Sequence, residues 1–302
     1  GDATGQPSSW IVCSRARAQS DLPATGAPRG RAMISTPGPL RIASLLPSAT
    51  EIVGALGLGE SLVAVTHCCD VAPDEAGMRA LLARGVPRVT RSPVAPEAMS
   101  QAEIDKAVTA SQQASSQLSL YALDEGELQR QRPSVVLTQA LCDVCAVSEE
   151  LVRRVFGQED AASVRIVSLQ PGTLAEVGAS FQAVAEACGG DARAARLEFE
   201  RRLEQVRSIT CGLGPPGRPS MLLLEWLDPP FDGGHWVPDQ IEAAGCRAAL
   251  NASGEVSKRR TWEEIARADP DIIVVACCGF DLERNLRDAQ EALARPGSPL
   301  AA

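Results

Sequence analysis

The 302-residue sequence contains few aromatic residues and two histidines. Its aromatic side chains make up 3% of the chain and comprise five Phe, four Trp and one Tyr. Two of the tryptophans, Trp226 and Trp236, nevertheless lie ten residues apart, and His235 lies beside the second. Such clustering of scarce side chains marks this stretch as a candidate ligand contact, although filling of a core is an alternative.

The motifs of several common catalytic sites are missing. The sequence has no Gly-x-Ser-x-Gly elbow, no P-loop, and no Gly-x-Gly-x-x-Gly after its first predicted strand. These patterns supply a nucleophile or a phosphate cradle. Their absence favours a binding protein, and no enzymatic activity is predicted.

An excess of positive charge and long hydrophobic runs are also missing. The formal net charge is −9, which argues against a nucleic-acid partner and against binding to anionic membrane surfaces. The longest apolar run, around residues 272–278, has the length of a buried strand and is too short to span a membrane. The sequence therefore predicts a soluble protein with small-molecule or protein partners.

Ten cysteines are present, but they lack the even spacing of a disulfide framework. An α/β core of this size does not need such cross-links, so a reducing compartment is the simpler interpretation. Residues 1–40 are rich in Arg, Ser, Ala, Gly and Pro without a hydrophobic signal region, which is typical of an organellar transit segment or a disordered tail. We therefore predict a cytoplasmic or organellar location and exclude residues 1–40 from the fold.

From residue 41 onward, strand and helix patterns alternate as in a parallel, doubly wound α/β fold. Capping boxes are predicted at Ser48–Glu51, Ser100–Glu103, Thr173–Glu176 and Thr261–Glu264. We predict an N-terminal lobe over residues 41–190, a connecting helix over 191–209 and a C-terminal lobe over 210–302. With two predicted strands, the second lobe is expected to be incomplete, because it could not cover both faces of its sheet.

The predicted connecting helix carries an apolar stripe with the helical period at Ala192, Ala195, Phe199, Leu203 and Val206. The stripe contains no internal Gly or Pro, which indicates a stiff element. From these residues alone, a helix between two lobes and an ordinary crossover helix within one sheet fit equally well.

Unusual side chains follow four of the predicted strands, at the edge where open parallel sheets bind ligands. His67 and Cys69 could ligate a soft metal with Cys142 or Cys145, and His235 is a further candidate. The Cys142-x-x-Cys145 pair could instead be a redox site or two buried structural thiols. These alternatives stay open at the level of the residues.

Several motifs together resemble the class III, helical-backbone periplasmic binding proteins, in the branch that binds cobalamin or ferric siderophores. The opening motif is the stretch from Ile42 to Ile52 with Ala55-Leu56-Gly57. The others are His67-x-Cys69-Asp70, Thr90-Arg91-Ser92, Ser119-Leu120-Tyr121, Thr138-Gln139, Cys142-x-Val144-Cys145, Glu225-Trp226-x-Asp228-Pro229-Pro230, Gly234-His235-Trp236-x-Pro238 and Cys278-Gly279-Phe280-Asp281.

This resemblance implies two α/β lobes joined by a rigid helix, with cobalamin, haem or another metal chelate held between them for a membrane importer of the ABC class. Cys68 stands where this branch carries an acidic residue. The predicted ligand site comprises His67, Arg91, Tyr121, Gln139, Trp226, Phe231, His235, Trp236 and Phe280, with His235 as the favoured axial donor. A direct metal-ion binder, a thiol redox or metal-dependent enzyme, and a binding-protein fold reused as a structural subunit are the alternative functions.

Overall fold

The computed structural model describes residues 9–12, 38–69, 83, 85–92, 98–114, 122–139, 149–160, 164–210, 212 and 217–295. The strands are β1 Ser9–Val12, β2 Ile42–Ser44, β3 Leu62–Val65, β4 Thr90–Arg91, β5 Ala122–Leu123, β6 Val135–Thr138, β7 Arg165–Ser168, β8 Ser220–Leu227, β9 Pro230–Asp232, β10 Arg247–Ala248 and β11 Ile272–Val275. The helices are α1 Pro47–Ala55, α2 Gln101–Ala114, α3 Glu125–Arg130, α4 Glu149–Asp160, α5 Leu174–Cys188, α6 Arg193–Thr210, α7 Val237–Ala243, α8 Trp262–Ala268 and α9 Leu282–Ala294, with a 3₁₀ turn at Gly59–Ser61.

The first sheet contains four parallel strands in the order β3-β2-β6-β7. The chain runs from β2 to β3 on one side and later returns to β6 on the other. The topology therefore switches between β2 and β6, and ligands of open α/β sheets bind beyond the carboxyl ends of such a pair. Ile42, Val136 and Leu137 are fully buried in these strands, because both faces of the sheet are covered by helices.

The second sheet has the order β1-β11-β8-β10, all parallel, and β9 pairs antiparallel with β8. Its topology switches between β8 and β11. The prediction of two strands was wrong, because β10 is a two-residue strand, β9 is a hairpin return, and β1 comes from the segment excluded from the fold. The apolar run Trp10-Ile11-Val12 has high strand propensity, which the surrounding transit-like composition obscured.

The connecting helix α6 packs on α5 and α7 and leads from the first sheet to the second. Phe199 stacks on Phe181 of α5, with ring centroids 5.6 Å apart. The predicted stripe is only partly correct, since Val206 is 44% exposed. On the outer face, hydrogen bonds from Arg201 and Arg202 lower the pKa of Glu198 to about 2. Helix α6 thus combines a half-buried face with an ion-paired, exposed one.

Among the residues that the structure describes, none of the helices combines the length and the hydrophobicity of a membrane-spanning segment.

Candidate functional site

The carboxyl edges of the two sheets face each other. Helix α5 follows β7, and helix α7 leads into β10, which is parallel to β8, so the amino end of each helix lies toward the carboxyl edge of its sheet. The backbone N–H of Leu174, the first residue of α5, donates to the Asp239 carboxylate in the first turn of α7 over 2.7 Å. This hydrogen bond joins the two edges on one side of the cleft between the sheets.

Helix α2 lies at the carboxyl edge of the second sheet, through Gln101. The side-chain oxygen of Gln101 accepts from the N–H of Leu227 over 2.6 Å, and its amide nitrogen donates to Asp288 over 2.8 Å and to the sulfur of Cys277 over 3.4 Å. Leu227 ends β8 and Cys277 follows β11. Gln101, 5% exposed, therefore lies at the topological switch point of the second sheet, between the ends of β8 and β11.

Two further contacts fasten α2 and the residues before it to the second sheet. The guanidinium of Arg284 donates to the Met99 carbonyl over 2.7 Å, and Arg259 pairs with Asp105 at 3.0 Å. A cavity of about 310 Å³ lies between residues 98–101 and α9. The α5–α7 hydrogen bond thus joins the two edges, and the α2 contacts lie at the edge of the second sheet.

On the first sheet, His67 lies in the turn after β3 and Gln139 directly follows β6, and both side chains are half-buried. The imidazole Nδ1 of His67 lies 2.7 Å from the Thr90 hydroxyl, and its Nε2 lies 3.2 Å from the sulfur of Cys68. Arg91 is exposed at the end of β4. Tyr121 lies outside the described residues, immediately before β5.

On the second sheet, the structure brings Trp226, Phe231 and Phe280 together. The rings of Trp226 and Phe280 are 5.3 Å apart, and Phe231 is the cross-strand partner of Trp226 in the β8–β9 hairpin. The guanidinium of Arg284 lies 4.4 Å from the Phe280 ring centroid. All three aromatic side chains are half-buried, and Trp226 and Phe280 also pack on the core of this sheet. The cluster therefore serves as core on one side and as a surface at the cleft edge on the other.

His235 and Trp236 follow β9, with ring centroids 5.9 Å apart. The backbone of His235 has φ 56°, and its N–H donates to the Glu255 carbonyl. The imidazole Nε2 is buried and has no hydrogen-bond partner among the described residues. Burial lowers the pKa of His235, because it disfavours the charged imidazolium.

Burial is expected to shift the titration of His235. His235 should titrate below the ordinary histidine value of about 6.5, so its contribution to the free energy of unfolding is largest above that pH and falls as pH drops through 6.5, where the unfolded chain binds more protons. Imidazole NMR spectra across pH 4–8 would resolve both rings, and His235→Gln assigns the signal. A His235 signal titrating at or above the ordinary value would contradict the burial seen in the structure.

The predicted metal ligands are not assembled among the described residues. Cys69 is 3% exposed, lies in the core of the first sheet, and contacts the Thr50 hydroxyl at 3.0 Å. Burial raises the pKa of this thiol. In the described part of the chain, no group of three or more His, Cys, Asp and Glu side chains is placed to hold a metal ion. Cys142 and Cys145 lie outside the described residues, so their role stays a prediction.

Three residues of the cleft edge, Gln101, Cys68 and Thr90, were missing from the predicted site. Gln101 was hidden because its contacts lie 126 to 187 residues away in sequence. The signal for Cys68 and Thr90 was present, since both adjoin residues of the quoted motifs. A thiol next to a histidine after a strand was itself a reason to consider Cys68.

Comparisons with models of protein families and with curated proteins give no match. Solved structures do match. The periplasmic vitamin B12 binding protein BtuF of Vibrio cholerae is 18% identical, with TM-score 0.52 over 83% of this chain and 84% of that one. A periplasmic heme binding protein from Pseudomonas aeruginosa is 19% identical, with TM-score 0.56 over 86% and 81%. A possible iron-binding periplasmic protein from Staphylococcus epidermidis is 17% identical, with TM-score 0.53 over 86% and 83%.

The prediction of a cytoplasmic or organellar location is wrong, because the similar structures are those of periplasmic proteins. That prediction rested on the cysteine count and on the transit-like composition of residues 1–40. Burial raises the pKa of Cys188 to about 11 and that of Cys277 to about 12. Such thiols stay protonated near neutral pH and react slowly, so they do not require a reducing compartment.

The resemblance seen in the motifs is confirmed in the fold. The two α/β sheets with helices on their faces and the long helix between them form an architecture that superposes on these solved structures. At sequence identities below 20%, the similarity to these structures shows the fold and does not assign a ligand. The chain has the fold of the class III, helical-backbone periplasmic binding proteins.

Proposed function

We propose that this protein binds a metal chelate, such as a corrinoid, a haem or a ferric siderophore, in the cleft between its two sheets. The observation that carries the proposal is the Leu174–Asp239 hydrogen bond, which connects the carboxyl edges of the two sheets. Half-buried aromatic side chains lie at one edge, and His67 and Gln139 lie at the other. This arrangement presents contacts to a ligand from both sides.

The chemistry of these edges suits a flat, charged chelate. The aromatic rings of Trp226 and Phe280 offer apolar area for a macrocycle. Arg259 and Arg284 lie 5.5 Å and 4.4 Å from the centroids of Phe231 and Phe280, and ion pairs with Asp105 and Asp288 hold these two guanidinium groups beside the rings. The similar structures include proteins named for B12, heme and iron binding, which supports the same ligand class here.

Transport, and not catalysis, is the role that fits this proposal. Helix α6 runs from Arg193 to Thr210 without an internal Gly or Pro, so it offers little to a hinge that would close the sheets over a substrate. A binding protein that changes shape little can present its loaded cleft to a membrane importer of the ABC class. An extracytoplasmic location accompanies this role, as in the similar structures.

The test is titration of the purified protein with cobinamide, hemin and a ferric hydroxamate siderophore, followed by calorimetry and gel filtration. Stoichiometric retention of at least one chelate is the expected result. Retention of none of the three, by protein shown to be folded, would overturn the proposed function.

Trp236→Ala is expected to weaken binding of the retained chelate by about 1–3 kcal/mol, or roughly 5- to 150-fold in Kd, the range for an aromatic anchor at an interface. The matched control is Phe199→Ala on the connecting helix, which removes an aromatic side chain stacked on Phe181. The control should lower the melting temperature and leave the Kd of the folded protein unchanged. Equal Kd values for Trp236→Ala and wild type would remove Trp236 from the site.

A further inference from the structure

A chain of hydrogen bonds leads from the core of the first sheet to the sulfur of Cys68. The hydroxyls of Thr66 and Thr90 are 2.8 Å apart, and the Thr90 hydroxyl lies 2.7 Å from Nδ1 of His67. Nε2 of the same ring lies 3.2 Å from the Cys68 sulfur. Thr66 and Thr90 are 4% and 6% exposed, whereas His67 and Cys68 are half-buried. The Cys68 sulfur is therefore linked through His67 to a network anchored in the core.

The network fixes the imidazole from several directions. The Thr90 hydroxyl also accepts from the His67 backbone N–H over 3.0 Å, and the His67 carbonyl accepts from Arg88 over 2.5 Å. With the ring proton on Nδ1, Nδ1–H donates to Thr90, which donates its own proton to Thr66. Nε2 then accepts from the Cys68 thiol. This thiol, base and orienting hydroxyl have the mutual geometry of an activated nucleophile.

Cys68 and its neighbour Cys69 have different surroundings, although they are adjacent. The Cys69 sulfur contacts Thr50 inside the core, while that of Cys68 contacts His67 in the turn beyond β3. This turn lies at the carboxyl edge of the first sheet, which faces the second sheet. A donor atom at this position can reach a ligand in the cleft, as Cys69 cannot.

The structure assigns Cys68 as the protein's donor to the metal of the bound chelate, with His67 as its positioning residue. This inference rests on the proposed function and specifies which chelates the site takes: those whose cobalt or iron has an exchangeable axial position. On binding, the S–H bond breaks and a sulfur–metal bond forms. The thiol proton passes to Nε2 of His67, and the water on the metal leaves. No electron is transferred.

His235, the donor predicted from the sequence, is less suited to this role. Its Nε2 is buried in the loop after β9, so the ring would have to turn outward to meet a metal. The Cys68 sulfur is half-buried at the cleft edge and is already paired with a base. Thiolate is also a well-established axial ligand of haem iron.

The test uses cobinamide and hemin with wild type, Cys68→Ser, His67→Gln and Cys278→Ser, the last replacing an exposed thiol as the control. X-ray absorption fine structure at the cobalt or iron edge should show one sulfur neighbour in wild type and in Cys278→Ser. Cys68→Ser should lose that sulfur while remaining folded by circular dichroism. His67→Gln should show the sulfur neighbour in a smaller fraction of molecules than wild type, because the ring that positions the Cys68 thiol is then missing.

The outcomes separate this inference from the function on which it rests. If wild type retains neither chelate, the proposed binding of such chelates fails, and this inference fails with it. If wild type retains a chelate but shows no sulfur neighbour, or if Cys68→Ser keeps the sulfur, the inference is overturned and the proposed function stands. Loss of the sulfur in Cys278→Ser alone would also overturn it.

Discussion

Replacing Asp232 by Ala is expected to lower the free energy of unfolding by about 3–5 kcal/mol, the range for removing one partner of a buried ion pair. Asp232 is 0% exposed and lies 2.6 Å from the Arg260 guanidinium, whose side chain is 15% exposed. It also accepts from the Lys258 backbone N–H over 2.7 Å and from Asn251 over 3.3 Å. The alanine variant would leave the Arg260 charge in the interior without its counter-ion.

Urea unfolding followed by circular dichroism measures this loss. The control is Glu200→Ala on the connecting helix, which breaks a pair of similar length, 2.8 Å to Arg196, between side chains that are 52% and 47% exposed. Solvent screens such a pair, so its loss should be within about 1 kcal/mol. Similar losses of unfolding free energy in the two variants would show that the buried Asp232–Arg260 pair stabilises the fold no more than the exposed pair does.

The Asp232 network also matters for the cleft. Asp232 ends β9, and the next residues lead to His235 and Trp236. Its hydrogen bonds tie this segment to residues 251–260, and the Phe231–Arg259 bridge adds to the attachment. The position of two predicted ligand contacts therefore depends on a polar core that none of the sequence motifs revealed.

Local sequence signals predicted the start of a helix correctly where the two residues of the capping box bond only to each other's backbone. Thr173–Glu176 and Thr261–Glu264 form the predicted capping boxes, because both hydrogen bonds lie within four residues. The prediction at Ser48–Glu51 was wrong. Helix α1 starts at Pro47, with Leu46 as N-cap and without a side-chain cap, since proline at the first helical position suits the helix start.

Signals that depend on distant partners were the ones that failed. Val206 fits the helical period of the connecting helix yet is 44% exposed, because burial on α6 depends on where α5 and α7 pack and not on the period alone. Strand β1 exists through its pairing with β11, more than 250 residues away. Gln101 looked like an ordinary first residue of a helix, although its amide fills the switch of the second sheet. The periodicity of a sequence describes a single helix or strand, whereas the contacts of these residues depend on the packing of two elements.

Gly234→Ala is expected to be at least as damaging as Asp232→Ala, at about 3 kcal/mol or more, because the added methyl group would overlap backbone atoms. A Cβ built at Gly234 lies 2.1 Å from the nitrogen of Ser257 and 2.5 Å from the carbonyl carbon of Val256. Overpacking usually costs about 1–3 kcal/mol where side chains can yield, and here the neighbours are main-chain atoms. The segment leading to His235 must separate from residues 256–257, so chelate binding should fall with stability.

The control is Gly217→Ala, where a Cβ has no neighbour within 4 Å and the change in unfolding free energy should be within about 1 kcal/mol. Thermal melting and chelate titration of both variants test this prediction. If Gly234→Ala has the melting temperature of Gly217→Ala and the Kd of wild type, Gly234 does not lie against residues 256–257 in the folded protein.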